Sequence, residues 1–151
     1  MRSMIIAGKI AVISLVFIIL NWCYLAPPTW AVVNNLATPI AIEVSLGNTA
    51  NELKFEPNNL QLNARQTYKL LLSNPSPQKH YFTALEFANK SWTQKVDAGN
   101  VEIKGTIQEL ELRPNTKAEW VVTPMRSGTY RLRCTIPGHT EAGMTGTITV
   151  K

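Results

Sequence analysis

The chain is poor in the residues that most often carry chemistry, with two histidines (His80 and His139) and two cysteines (Cys23 and Cys134) among 151 residues. Two cysteines allow no disulfide framework beyond a single Cys23–Cys134 bridge, and two histidines leave none over once one histidine-built centre is made. There is no internal repeat and no low-complexity segment, which sets aside solenoids and biased tracts. Basic residues form no run interleaved with aromatics, so no nucleic-acid partner is expected. The length suits one domain once a targeting segment is removed.

Only one long apolar run is present, from Ile10 to Leu20, preceded by Arg2 and Lys9 and followed by Pro27-Pro28-Thr29-Trp30-Ala31. That order of positive charge, apolar core and small residue is the pattern of a secretory signal with cleavage after Ala31. The alternative is an uncleaved anchor helix: Ile10 to Leu20 is shorter than the ~20 residues a spanning helix needs, but Trp22, Cys23, Tyr24 and Leu25 extend it. A lipoprotein reading of Leu20-Asn21-Trp22-Cys23 fits poorly because tryptophan precedes the cysteine. Residues 1–31 are therefore expected to be a signal peptide or membrane anchor, and residues 32–151 the folded domain of an exported protein, periplasmic or lumenal. Membrane contact is expected only through an uncleaved N-terminal segment.

Loss of the leader also removes Cys23, leaving Cys134 as a lone thiol in a disulfide-permissive compartment. Such a thiol is a liability unless something holds it, and a bridge to Cys23 would require an uncut apolar segment to bend back onto the domain. Removing Arg2 and Lys9 from the fifteen basic residues leaves thirteen against ten acidic ones, a net of +3. This mild excess is enough to bias encounter toward an acidic partner, but a solvated surface is the default reading of the surplus lysines.

From Thr38 onward most segments alternate with period two. Ile40, Ile42, Val44 and Leu46 share one face; Leu53 with Phe55, Leu60 with Leu62, and Tyr68 with Leu70 and Leu72 continue the pattern. Val101 and Ile103, Leu110 and Leu112, then Ala118, Trp120 and Val122 follow, separated by Ser73-Asn74-Pro75, Ala98-Gly99-Asn100, Arg113-Pro114-Asn115 and Arg126-Ser127-Gly128. Many short alternating strands punctuated by turn residues predict an all-β sandwich. The exception is Thr83 to Lys95, where a short helix is expected before Val96.

Tyr130, Leu132 and Cys134 alternate with Thr129, Arg131 and Arg133, so Cys134 is expected to point inward. Pro137-Gly138 suits the central pair of a type II turn, which would fold the chain back and bring His139 beside the thiol. Cys134, His139 and Met144 are spaced with four residues in each gap, and a second alternating stretch, Gly146 to Lys151, follows. Thiolate, imidazole and thioether on one loop favour a soft or borderline metal, and one further histidine completes the His2Cys set with a long axial methionine that defines blue-copper electron-transfer sites. The only other histidine is His80, after the proline-punctuated loop Ser73-Asn74-Pro75-Ser76-Pro77. Met125 is a second candidate for the axial place, though it lies outside the loop register.

Cys134-Thr135-Ile136-Pro137-Gly138-His139 resembles the copper loop of the cupredoxins, the plastocyanin and azurin family. The Cys134-to-His139 gap is similar to the azurin form and the His139-to-Met144 gap to the plastocyanin form. The resemblance covers roughly residues 38 to 151. It implies a Greek-key cupredoxin β-sandwich holding one copper through His80, Cys134, His139 and Met144, and a mononuclear type 1 copper electron carrier rather than an enzyme. It also implies a monomer that docks transiently with a cytochrome or oxidase through a small apolar patch of Pro137, Gly138, Ala142 and Gly143 around His139. Many family members have an asparagine directly after the first histidine, tying the two ligand loops together. Tyr81 stands there instead, so a different set of hydrogen bonds around the ligands is expected. The alternative is an exported copper chaperone or assembly factor using the same ligands, but no extra methionine or histidine for hand-over lies near the loop. A binuclear copper site would need a second loop cysteine, and a catalytic copper centre would need more histidines.

Overall fold

In the computed structural model, which describes residues 38–151, the alternating segments become strands of two mixed sheets packed face to face. The expected leader, residues 1–31, lies outside the described residues. Ala37–Lys151 is a self-contained unit with its own core. The first sheet is built on β1 (Ile40–Leu46), which pairs antiparallel with the short β2 (Phe55–Glu56) and parallel with β4 (Tyr68–Asn74). β4 is joined in turn by β9 (Thr116–Pro124), β6 (Ser91–Ala98) and β7 (Val101–Ile103). The second sheet runs β3 (Asn59–Leu62), β11 (Thr145–Val150), β10 (Gly128–Arg133), β5 (His80–Thr83), β8 (Glu109–Leu112). Its β3–β11 pair is also parallel.

Alternation explains the layering, because inward residues of each strand are apolar and successive side chains point to opposite faces. On β4, Tyr68, Leu70 and Leu72 are buried while Lys69, Leu71 and Ser73 are only partly covered. Facing them on β9 are Ala118, Trp120 and Val122. Trp120 is the hub: its ring meets Phe82 edge-on at 6.1 Å and Phe87 at 5.8 Å, and Phe82 meets Phe55 at 6.0 Å. Such edge-to-face pairs add about 0.5–1.5 kcal/mol each beyond the area they bury. The indole N–H, unable to stay buried without a partner, donates to Thr93 Oγ1 at 3.1 Å.

The expected short helix is α1 (Leu85–Asn89), which buries Phe87 and Ala88, but it stops well short of Val96. The strand β6 that follows it was hidden in the sequence by a bulge between Thr93 and Lys95. Its two buried residues, Thr93 and Val96, are three apart rather than two, so a strict period-two reading fails there.

Gly146 on β11 has no room for a side chain: a Cβ would fall 2.3 Å from the backbone oxygen of Asn58, which accepts the Thr147 N–H at 2.8 Å. Gly146→Ala should therefore separate β3 from β11 and cost about 1–3 kcal/mol, read as a lower denaturation midpoint. An unchanged midpoint would show that this parallel pair contributes little.

Candidate metal centre

Three strand ends deliver the site. β5 pairs antiparallel with β10 at Thr83 and Arg133, so His80 at the start of β5 lies beyond the last residue of β10. Cys134 is the next residue of that strand, and Met144 immediately precedes β11. Cys134 points inward as its alternation required, with Tyr130, Leu132 and Cys134 buried and Arg131 and Arg133 exposed.

The loop between β10 and β11 folds back as its turn residues predict. Gly138 takes φ +85°, and the His139 N–H donates to the Ile136 carbonyl at 3.0 Å, closing a turn over Pro137-Gly138. Ala142 N–H then donates to Gly138 O at 3.0 Å, one helical turn further on. Two more backbone bonds tie the candidate ligands to each other: Cys134 N–H to Met144 O at 3.1 Å, and Met144 N–H to His139 O at 2.9 Å. Thr140 Oγ1 donates to Cys134 O at 2.6 Å and clamps the loop from outside.

The outcome is a group of three donor atoms, one each from His80, Cys134 and His139, all within 4.8 Å of one another. Cys134 Sγ lies 3.4 Å from His139 Nδ1, and the two imidazole rings are 5.2 Å apart. His80, Cys134 and Met144 are fully buried and His139 is 8% exposed. Neither ring nitrogen of His80 has a hydrogen-bond partner, and an unmet buried polar group costs about 1–3 kcal/mol. Burial, helped by the nearby His139, lowers the His80 pKa to about 4. A buried thiol and two imidazoles facing one another, with one ring unpartnered, fit a soft or borderline metal. Met125 is exposed just after β9, where its N–H donates to Lys90 O, and is not brought to the His80–Cys134–His139 group.

The support around the ligands is where the sequence was least explicit. The Tyr81 N–H donates to Cys134 Sγ at 3.4 Å, a contact that depends on the backbone and not on the side chain. The Tyr81 hydroxyl turns outward to the Glu111 carboxylate. A different group ties β5 to the ligand loop: one oxygen of Glu109 accepts from Thr83 Oγ1 at 2.6 Å and from Thr135 Oγ1 at 2.7 Å. Upstream of His80, buried Asn74 shapes the loop, its amide donating to Gln78 O and Leu112 O at 2.8 Å and its oxygen accepting from Ser76 N–H at 2.9 Å. Gly47, at φ +72°, leaves space for the imidazole, since a Cβ there would sit 2.9 Å from His80 Nε2. In the sequence Asn74-Pro75 reads only as a turn, and nothing marks Glu109 or Gly47.

Solved structures share this architecture. The auracyanin of Roseiflexus castenholzii is 20% identical over 76% of this chain and 98% of its own, with a TM-score of 0.55. Auracyanin A of Chloroflexus aurantiacus, described as a blue copper protein, is 21% identical over 76% of this chain and all of its own, at 0.54. A copper-containing nitrite reductase of Thermus scotoductus matches at 0.59 with 11% identity, over 76% of this chain but 31% of its own. No curated protein matches significantly. Residues 42–151, the greater part of the chain, match the family described as copper binding proteins, plastocyanin/azurin family. The chain belongs to that family, the cupredoxins.

Proposed function

We propose that residues 32–151 form an exported, mononuclear blue-copper electron carrier, with Cys134 ligating as thiolate, His80 and His139 as neutral imidazoles and Met144 as the weak axial donor. The observation that carries this reading is the buried His80–Cys134–His139 group, in which both nitrogens of His80 lack any protein partner. Packing of the Nε2 edge against Gly47 leaves Nδ1 as the nitrogen for ligation. Bound there, copper supplies a one-electron couple between its cupric and cuprous states.

The residues' part is to hold still and to exclude water. A one-electron step is fast when the donors need not rearrange, and the loop bonds from Cys134 to Met144 and from Met144 to His139 fix them before any metal arrives. The Tyr81 N–H places a donor on the sulfur, stabilising its negative charge. His139 alone among the four reaches the surface, and Pro137, Gly138, Ala142 and Gly143 of the same loop are exposed. A small apolar rim of that kind suits the brief contacts of a redox partner such as a cytochrome or oxidase. Metal delivery by a chaperone would be served by open ligands, and burial of three of the four favours retention over hand-over.

Residues 32–151 with added Cu(II) should show an intense thiolate-to-copper absorption band that bleaches reversibly on reduction and is absent in Cys134→Ser. A colourless protein that holds Cu(I) tightly would favour the chaperone instead. Tyr81→Phe keeps the backbone donor and should leave that band in place, whereas a shifted band would mean that the side chain reaches the site. The metal-free protein should also be acid-sensitive through His80. Its pKa is about 4 folded against 6.5 for an unperturbed histidine, so the unfolded chain takes up a proton that the native one refuses. Stability from this group is thus level above about pH 6.5 and falls as pH drops toward 4, by up to ~3 kcal/mol. Urea titrations of wild type against His80→Leu across that range should diverge; parallel curves would remove His80 as the cause.

A further inference from the structure

The end of the sandwich opposite His80 and Cys134 has its own chemical character. β10 runs from Gly128 at that end to Arg133 beside the ligand loop, which separates the two ends by roughly 20 Å at strand rise. Hydrogen bonds draw several segments together there. Ile40 N–H donates to Thr67 O at 3.0 Å, Arg65 N–H to Pro124 O at 2.7 Å, Met125 N–H to Lys90 O at 2.9 Å and Ala64 N–H to Lys151 O at 2.8 Å. Trp92 stands opposite Thr123, one step away.

Those segments carry Arg65, Lys90, Arg126 and Lys151, all exposed, and no acidic side chain falls within 63–67, 89–92 or 124–128. None of the four cations forms a salt bridge among the described residues, while of the other described lysines all but Lys117 are matched, as in Lys54 with Glu52, Lys79 with Glu111 and Lys95 with Asp97. The nearest acid along the chain, Glu86, lines a separate groove with Arg131 and Arg133. At the same end occur three of the six exposed large hydrophobics among the described residues: Trp92 at 57%, Ile40 at 48% and Met125 at 48%.

We propose that this end, carrying Trp92, Met125 and Ile40 among Arg65, Lys90, Arg126 and Lys151, is a docking surface for an anionic lipid bilayer. A purely acidic protein partner would account for the cations but leave an exposed tryptophan and methionine without a role. The headgroup region takes both, because indole rings settle at the boundary between water and hydrocarbon while lysine and arginine attract anionic lipid. β1 also begins here, at Ile40. Docking in this way turns the His139 end toward the aqueous compartment, where a soluble partner can reach it. The inference does not depend on the metal.

The test uses residues 32–151, which contain the whole self-contained unit, and so removes the apolar leader from the outcome. Sedimentation with phosphatidylcholine vesicles containing phosphatidylglycerol is compared with phosphatidylcholine alone, for wild type, Arg65→Glu/Arg126→Glu, Trp92→Ser/Met125→Ser, and Lys104→Glu/Lys117→Glu away from this end. Binding is expected only with the anionic vesicles. It should fall about tenfold or more in both variants of the docking end and stay near wild type in the third. Emission of Trp92 should shift to the blue on binding, with buried Trp120 unaffected and the shift lost in Trp92→Phe. Absence of vesicle binding, equal losses in all three variants, or capture by polyglutamate but not by vesicles would each overturn the proposal.

Discussion

The structure depends on a chain reversal of eleven residues that must bury Cys134, His139 and Met144 while keeping its backbone hydrogen-bonded. Between Cys134 and Met144 it does so with its own amides, which close turns on Ile136 and Gly138 and then link Cys134, Met144 and His139 in series. Because those bonds join the ends of β10 and β11, the loop inherits the rigidity of a sheet whose next strands are β5 and β3. His80 comes from β5, and the Glu109 carboxylate between Thr83 and Thr135 keeps β5 and the loop in register. That side-chain network, with the Tyr81 N–H on Cys134 Sγ, links β5 to the loop where Tyr81 follows His80.

Much of this was legible in the residues. Alternation from Tyr130 to Cys134 and the Pro137-Gly138 pair announce the buried Cys134 and the turn that brings His139 beside it, since local turn chemistry and period-two patterning act over short range. His80 was reachable by elimination alone, there being no other histidine. Glu109, Gly47 and Asn74 were not, because each works across the fold: what they touch is decided by strand pairing. β6 was lost for the opposite reason, a local bulge that breaks the very period by which strands are recognised.

Charge divides the domain lengthwise. Near the ligand loop and along the first sheet, lysines and acids are interleaved and paired. At the other end cations stand without acids beside exposed Trp92 and Met125. The modest net charge of the whole chain therefore conceals an uneven distribution, with exposed apolar residues gathered beside the unpaired cations.

The parallel pairing of β3 with β11 has a temporal side. Asn59–Leu62 pairs with Thr145–Val150 across most of the domain's own sequence, so the second sheet is completed only by a long-range contact. Contacts so distant in sequence are made late and slowly, because the intervening loop must lose its freedom first. Met144, whose carbonyl accepts the Cys134 N–H, leads directly into β11, so the loop that buries the Cys134 thiol takes its shape together with this long-range pairing.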